Sequence, residues 1–258
     1  MNIDKHPPGT FCWVELATSS QSAAKQFYGS LFGWTAHDSP MGPDAVYTSF
    51  KLDGRDAAAC HQMLPAGESP NWRLFISVES ADDTAARATQ SGGTVLMAPI
   101  DLEQIGRMAV MQDPTGAAFA IWQPYRHNGI GIRGVDGTLC WADLNTGDRL
   151  RAKEFYESVF GWRLIPGKGK DVSTYLHVVN GEEFIGGVLP DEHRDPHSPP
   201  HWLPYFAVSD CDATAARVKE LGGRVYAEPM TVEGSLRYAV VADPQGAVFA
   251  LFTQVPRG

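Results

Sequence analysis

Apolar and polar positions along the chain alternate with two different periods, and the changes of period mark out its elements. From Thr10 to Leu16 apolar residues fall on every second position, the pattern of a strand with one covered face. From Ser19 the period becomes helical: Ala23, Ala24, Phe27, Leu31 and Phe32 make one apolar face, Ser19 or Ser20 stands at the N-cap, and Gly33 stops the helix. Three short strands are predicted next, over 35–37, 46–52 and 56–64, with an Asp53-Gly54 turn between the last two. The order then restarts with a strand over 73–78, a helix over 82–90 ended by Gly92-Gly93, and strands over 94–98, 107–112 and 117–123.

The whole pattern repeats. TFCWVELAT at Thr10 returns as TLCWADLNT at Thr138, and FYGSLFGW at Phe27 returns as FYESVFGW at Phe155, both 128 residues on. Later landmarks return 130 residues on: Trp72 as Trp202, Pro99 as Pro229, Arg107 as Arg237, and DPTGAAFA at Asp113 as DPQGAVFA at Asp243. The two additional residues of the second copy fall in the Pro- and His-rich stretch at 191–201, where a loop absorbs insertion at little cost. These landmarks predict an α+β chain of four βαβββ modules in two tandem domains, 10–123 and 138–254. The polar, Gly-rich linker at 124–137 reads as a tether between units that fold separately.

Composition narrows the function. Of 258 residues, 21 are Lys or Arg and 30 are Asp or Glu, for a formal net charge of −9, and no basic patch offsets it, so nucleic acid is excluded as a partner. No signal-peptide core and no run of about 18 apolar residues is present, so a cytoplasmic protein without a membrane partner is expected. Cys12, Cys60, Cys140 and Cys211 lie far apart with no CxxC spacing, which reads as reduced, mostly buried thiols.

A paired βαβββ module with FYxxxFGW closing its first helix and DPxG before its last strand resembles the vicinal oxygen chelate superfamily, which includes glyoxalase I, extradiol dioxygenases, epimerases, and bleomycin and fosfomycin resistance proteins. The likeness runs from about Thr10 to Gln254 and holds in both halves. It implies two glyoxalase/bleomycin-resistance-type domains, each a curved eight-stranded cup with helices outside. Phe27, Tyr28, Phe155 and Tyr156 would then pack the helices on the sheets, and Gly116 and Gly246 would permit the turn into each last strand. The resemblance also implies metal ligands on the first, fourth, fifth and eighth strands of a cup. Here those positions hold Trp13, a site near His61, Arg73 and Ala120 in the first half, and Trp141, a site near Val188, Leu203 and Ala250 in the second. Such side chains leave a divalent ion without its two to four donors, so no metal and no cofactor are expected.

Strand alternation indicates what the cups could hold instead. Trp13, Glu15 and Ala17 share one face of the first strand, Arg73, Phe75 and Ser77 one face of the fifth, and Ala118, Ala120 and Trp122 one face of the eighth. The first cup is thus expected to be aromatic, with Glu15, Arg73 and His61 as its catalytic candidates and Trp13, Phe75 and Trp122 as binding residues. The second offers Trp141, Asp143, Tyr175, His177 and Tyr205 as binding residues, with Leu203 in place of the arginine. Two readings of Glu15 and Arg73 stay open: an ion pair satisfying two partly buried charges, or a base beside an anchor for a carboxylate or phenolate. His61 reads as an acid or base or as a solvated tip. Arg107 and Arg237, repeated in both halves, read as structural at strand ends. His193, His197 and His201 are spaced by four, but the prolines among them forbid the helix that would align them.

Three functions remain open. One is a metal-independent lyase, isomerase or hydroxylase-like enzyme acting on a small aromatic or polyketide-type molecule. The second is a bleomycin-resistance-like protein that sequesters such a molecule, and the third is an interaction protein without a ligand. Four modules on one chain complete the paired arrangement internally, so a monomer is expected as readily as a homodimer.

Overall fold

A computed structural model describes residues 2–42, 45–62, 69–167, 174–194, 197–232 and 236–254. The first half runs β1 (Phe11–Thr18), α1 (Gln21–Phe32), β2 (Thr35–Pro40), β3 (Val46–Leu52), β4 (Arg55–Gln62), β5 (Asn71–Ser77), α2 (Ala81–Gln90), β6 (Thr94–Leu102), β7 (Gly106–Gln112) and β8 (Ala118–Pro124). The second half repeats it as β9 (Leu139–Asn145), α3 (Arg149–Phe160), β10 (Arg163–Pro166), β11 (Leu176–Asn180), β12 (Glu183–Val188), β13 (His201–Ala207), α4 (Cys211–Glu220), β14 (Arg224–Val232), β15 (Leu236–Ala242) and β16 (Val248–Gln254). The end predicted for β4, at Leu64, lies outside the described residues.

Each half forms one eight-stranded sheet, ordered β2-β3-β4-β1-β5-β8-β7-β6 in the first and β10-β11-β12-β9-β13-β16-β15-β14 in the second. The α+β class and the four modules therefore stand as the pattern predicts, and the two eight-stranded sheets, not closed into barrels, as the resemblance implies. Local signals start and stop the helices where they should: the Ser20 side chain accepts from the Ala23 amide at 3.3 Å, and Gly33 leaves α1 in the left-handed region at φ 72°. Val14 and Leu16 are wholly buried in one core with Ala24, Phe27 and Tyr28 of α1, which leaves Trp13, Glu15 and Ala17 on the opposite, concave face. No helix among the described residues is long and apolar enough to cross a membrane.

The halves are not beads on a tether. A single apolar core contains residues of both, with Phe206 of β13 packed against Phe32, Trp34 and Trp72 of the first half. The tyrosine of each FY pair crosses the seam. Tyr28 donates to Asp243 Oδ2 at 3.1 Å and accepts from Trp72 Nε1 at 3.1 Å, while Tyr156 donates to Asp113 Oδ2 at 2.9 Å and accepts from Trp202 Nε1 at 2.7 Å. The other oxygen of each aspartate closes its own DPxG turn, Asp113 Oδ1 accepting from the amides of Thr115 and Ala117 at 2.8 and 3.0 Å. Asp243 Oδ1 does the same for Gln245 and Ala247, both at 2.9 Å. The two sequence motifs are thus halves of one joint.

The segment read as a free linker is docked instead. Ile130 donates to the Cys12 carbonyl and Gly131 to the Asp56 carbonyl, each at 2.7 Å, and the His6 ring bonds the Ile130 carbonyl at 2.9 Å. Buried Ile130 and Ile132 join the core. The expectation of a tether fails because backbone acceptors on β1 and β4 and an apolar pair at 130 and 132 hold the segment down, whatever its Gly content.

Candidate active site in the first cup

Strand register places the candidates. Glu15 on β1 stands opposite Ala59 of β4 on one side and Arg73 of β5 on the other, and Ala59 in turn stands opposite Ser49 of β3. Phe75 pairs with Ala120 of β8, so the same register carries Arg73 toward Ala118. Glu15 and Arg73 therefore sit in a row whose neighbours, Ser49, Ala59 and Ala118, are all small. In the second half that row reads His177, Gly187, Asp143, Leu203 and, by the same continuation, Val248.

Of the two readings left open for Glu15 and Arg73, the ion pair is absent: although the two residues are directly cross-strand, the carboxylate turns the other way. Tyr47 donates its hydroxyl to Glu15 Oε2 at 2.8 Å, and His61 Nδ1 lies 3.2 Å from Glu15 Oε1. Trp13 Nε1 donates to the Tyr47 hydroxyl at 3.0 Å, completing a chain of polar groups under the aromatic wall. The carboxylate thus takes the Tyr47 hydroxyl and the nearby His61 ring on the β3–β4 side in preference to the cation on the β5 side. The Glu15 side chain is 12% exposed and that of His61 32%, so the pair runs from inside the cup to its mouth. Burial, with the charge of Glu15 beside it, raises the Tyr47 phenol well above its ordinary value, so Tyr47 remains a proton donor to the carboxylate. Arg73 is half-buried and makes no hydrogen bond or ion pair with any described residue.

Trp13 and Trp122 do not stand as open walls. Their rings are 5% and 6% exposed, and the His127 imidazole lies edge-on to both, at centroid distances of 4.8 and 6.1 Å. Trp122 Nε1 donates to the His127 carbonyl at 2.8 Å, and Gly106, which passes under the Trp122 ring, has no room for a Cβ. His127 Nε2 is 3.6 Å from Asp56 Oδ2, and Lys51 Nζ is 2.7 Å from Asp56 Oδ1. Phe75 is buried beneath this layer.

The second cup is filled by its own side chains. Tyr175 and Tyr205 donate to the two oxygens of buried Asp143 at 2.5 and 2.7 Å, and Trp141 Nε1 reaches Asp143 Oδ1 at 3.0 Å. Burial raises the Asp143 carboxyl above its ordinary value while these three donors oppose the shift. Leu203, Tyr205 and Ala250 form a small apolar cluster with Trp141, Tyr238 and Phe252 at its edge. His177 stacks edge-on against Tyr175 and Phe184, and its Nδ1 and Asn145 Oδ1 are buried without a hydrogen-bond partner among the described residues. Val188 pairs with Leu144 inside the main core, so the residue in line with His61 is Leu189, not Val188.

Two residues were not found from the sequence. Tyr47 is the first-half counterpart of Tyr175, 128 residues earlier, and the repeat itself carried that signal. His127 lies in the segment read as a tether. Elsewhere Arg107 chelates Asp82 and reaches Asp101, and Arg237 chelates Asp212, as expected of strand-end ion pairs.

The comparisons with known proteins agree with this architecture. Residues 138–251 match the family model "Glyoxalase/Bleomycin resistance protein/Dioxygenase superfamily", and residues 13–122 match "Glyoxalase-like domain". "Putative glyoxylase CFP32" of Mycobacterium bovis is 40% identical over 253 residues, covering 96% of each chain. The chain belongs to the glyoxalase/bleomycin resistance protein/dioxygenase superfamily. "Anthracycline biosynthesis protein DauV" of Streptomyces sp. (strain C5) is 34% identical over 263 residues, 96% of this chain and 94% of its own. Among solved structures, the Mn(II)-bound glyoxalase from Novosphingobium aromaticivorans superposes with TM-score 0.68 at 16% identity, over 96% of this chain and 83% of that one, a likeness of fold.

A metal of the kind that glyoxalase holds does not fit the residues present here. The inward positions carry Trp13, Arg73 and Ala120 in one cup and Trp141, Leu203 and Ala250 in the other, none of them a ligand. Glu15 and His61 face each other rather than a shared centre, and among the described residues no three His, Cys, Asp or Glu side chains converge.

Proposed function

We propose that this superfamily member is a metal-independent enzyme that moves a proton on a small aromatic or polyketide-type metabolite, with Glu15 as the base of the first cup. The observation that carries this reading is the Glu15 carboxylate, almost enclosed, with Tyr47 on one oxygen and His61 on the other. A carboxylate fixed in that way is oriented to take a proton from a C–H beside a carbonyl, or from a phenol. His61 reaches the mouth of the cup and can relay that proton outward. Tyr47, its phenol kept protonated, steadies the carboxylate between turnovers. The resulting reaction class is an isomerisation or lyase-type elimination through an enolate: the proton passes to Glu15 and the C–H electron pair stays on the substrate, which is then reprotonated at another carbon or expels a group from its β-carbon together with that group's bonding pair. The second cup, occupied by its own tyrosines, is proposed as a structural partner. The naming of DauV for anthracycline biosynthesis favours a polycyclic aromatic ketone as substrate class.

The test incubates exhaustively chelated protein with a panel of polycyclic aromatic ketones in D2O and follows deuterium uptake and product by NMR. Turnover that survives chelation and falls by about 10²-fold or more in Glu15→Gln is expected of a general base. Activity lost with the metal and restored by Mn(II) or Fe(II), or unaffected by Glu15→Gln, overturns the reading. Stoichiometric binding without exchange or turnover makes the protein a sequestering one instead.

A further inference from the structure

We infer that the first cup is selective for an anionic ligand, an aromatic carboxylate or phenolate, and that Arg73 is the residue that selects it; this rests on the reading of that cup as the ligand site. A structural account of Arg73 would be charge compensation of Glu15, the residue directly across the strand pair. The structure removes that account, because both oxygens of Glu15 are turned to Tyr47 and His61 on the β3–β4 side. Arg73 is left half-buried on the β5 side with no acceptor among the described residues. Holding a guanidinium partly out of water without a partner costs free energy, and an incoming anion with two oxygens matches its planar fork.

The surroundings favour the same answer. The row through Arg73 carries only small side chains beside Glu15, namely Ser49, Ala59 and Ala118. The carboxylate across from it, Glu15, already accepts from Tyr47 and has His61 at its other oxygen, and Asp56 is occupied by Lys51 and His127, so neither compensates Arg73. The repeat supplies an internal comparison: the equivalent of Arg73 is Leu203, and the carboxylate across from Leu203, Asp143, is held in the same manner by Tyr175 and Tyr205. A carboxylate bonded by a tyrosine is thus common to both halves and is held in place without an arginine. Only the first half adds the cation, in a chain whose net charge is −9.

The experiment titrates the full chain with 2-naphthoate and with 2-naphthamide, the same ring without the charge, by calorimetry and tryptophan fluorescence. The expected result is one naphthoate per chain, bound about ten- to a hundred-fold more tightly than the amide, as for a charge-assisted hydrogen-bonded pair. Arg73→Leu, which installs the side chain the second half already tolerates, should abolish that preference, bringing naphthoate affinity down to that of the amide or below. Arg73→Lys should keep part of it. Equal affinity for the two ligands, or a preference that persists in a folded Arg73→Leu, overturns the inference while leaving the ligand site in place. Failure of both ligands to bind overturns the site along with it.

Discussion

The hydroxyl of Tyr28, on the first helix, donates across the seam to Oδ2 of Asp243, before the last strand, at 3.1 Å. Tyr156 and Asp113 repeat the bond with the halves exchanged. Each aspartate has its other oxygen bound to its own turn, so one carboxylate ties turn, helix and opposite half together. Replacing Tyr28 by Phe leaves Asp243 Oδ2 and Trp72 Nε1 each one partner short in a buried site. The expected loss is about 1–3 kcal/mol, read as a lower urea midpoint. Because the core is shared, wild type and variant should both unfold in one transition by fluorescence and circular dichroism alike. Two separated transitions would show that the halves are independent units after all.

The docked segment at 124–137 has a pH-dependent fastening. Asp56 is held down to about 2, first by its bond to His127 and then by Lys51, against the opposing effect of burial. Its ordinary value is about 3.9, so the folded value lies below the unfolded one. The stability it contributes is complete above about pH 4 and is lost as the pH falls through about 2. Backbone amides at Ile130 and Gly131 should therefore lose hydrogen-exchange protection in that acid window. Asp56→Asn should show weakened protection already at neutral pH and no further loss on acidification. Unchanged exchange in Asp56→Asn would mean that the bonds to Cys12 and His6 suffice.

The fold was legible because its determinants are local and appear twice. Ser20, Gly33 and the Asp53-Gly54 turn act within a few residues of themselves, and each strand carries its own alternation. What was hidden depended on how distant parts meet. Nothing in DPxG says that its aspartate will meet a tyrosine of the other half, and nothing in the polarity of the linker says that His127 will lie against Trp13. That Glu15 and Arg73 share the cup was legible from alternation, but the choice between an ion pair and separate roles was not, since neither alternation nor register says which donor a flexible carboxylate prefers. Tyr47 was within reach, given Tyr175 and the offset of the repeat.

The second cup provides a test of how tightly its tyrosine is seated. Gly187 stands opposite Asp143, and a Cβ there would overlap the Tyr175 ring; the first half carries Ala59 at the same place, where Tyr47 leaves room. Backbone strain does not enter, because Gly187 is not among the residues with positive φ. Gly187→Ala must therefore act through the ring, forcing Tyr175 off Asp143 and leaving a buried carboxyl one donor short. A loss of about 1–3 kcal/mol is expected, as for other overpacked sites. Tyr175→Ala removes the ring that clashes, so the double variant should be less destabilised than the sum of the two single ones, with a coupling of about 1 kcal/mol or more. Strict additivity would show that Tyr175 is not what the glycine accommodates.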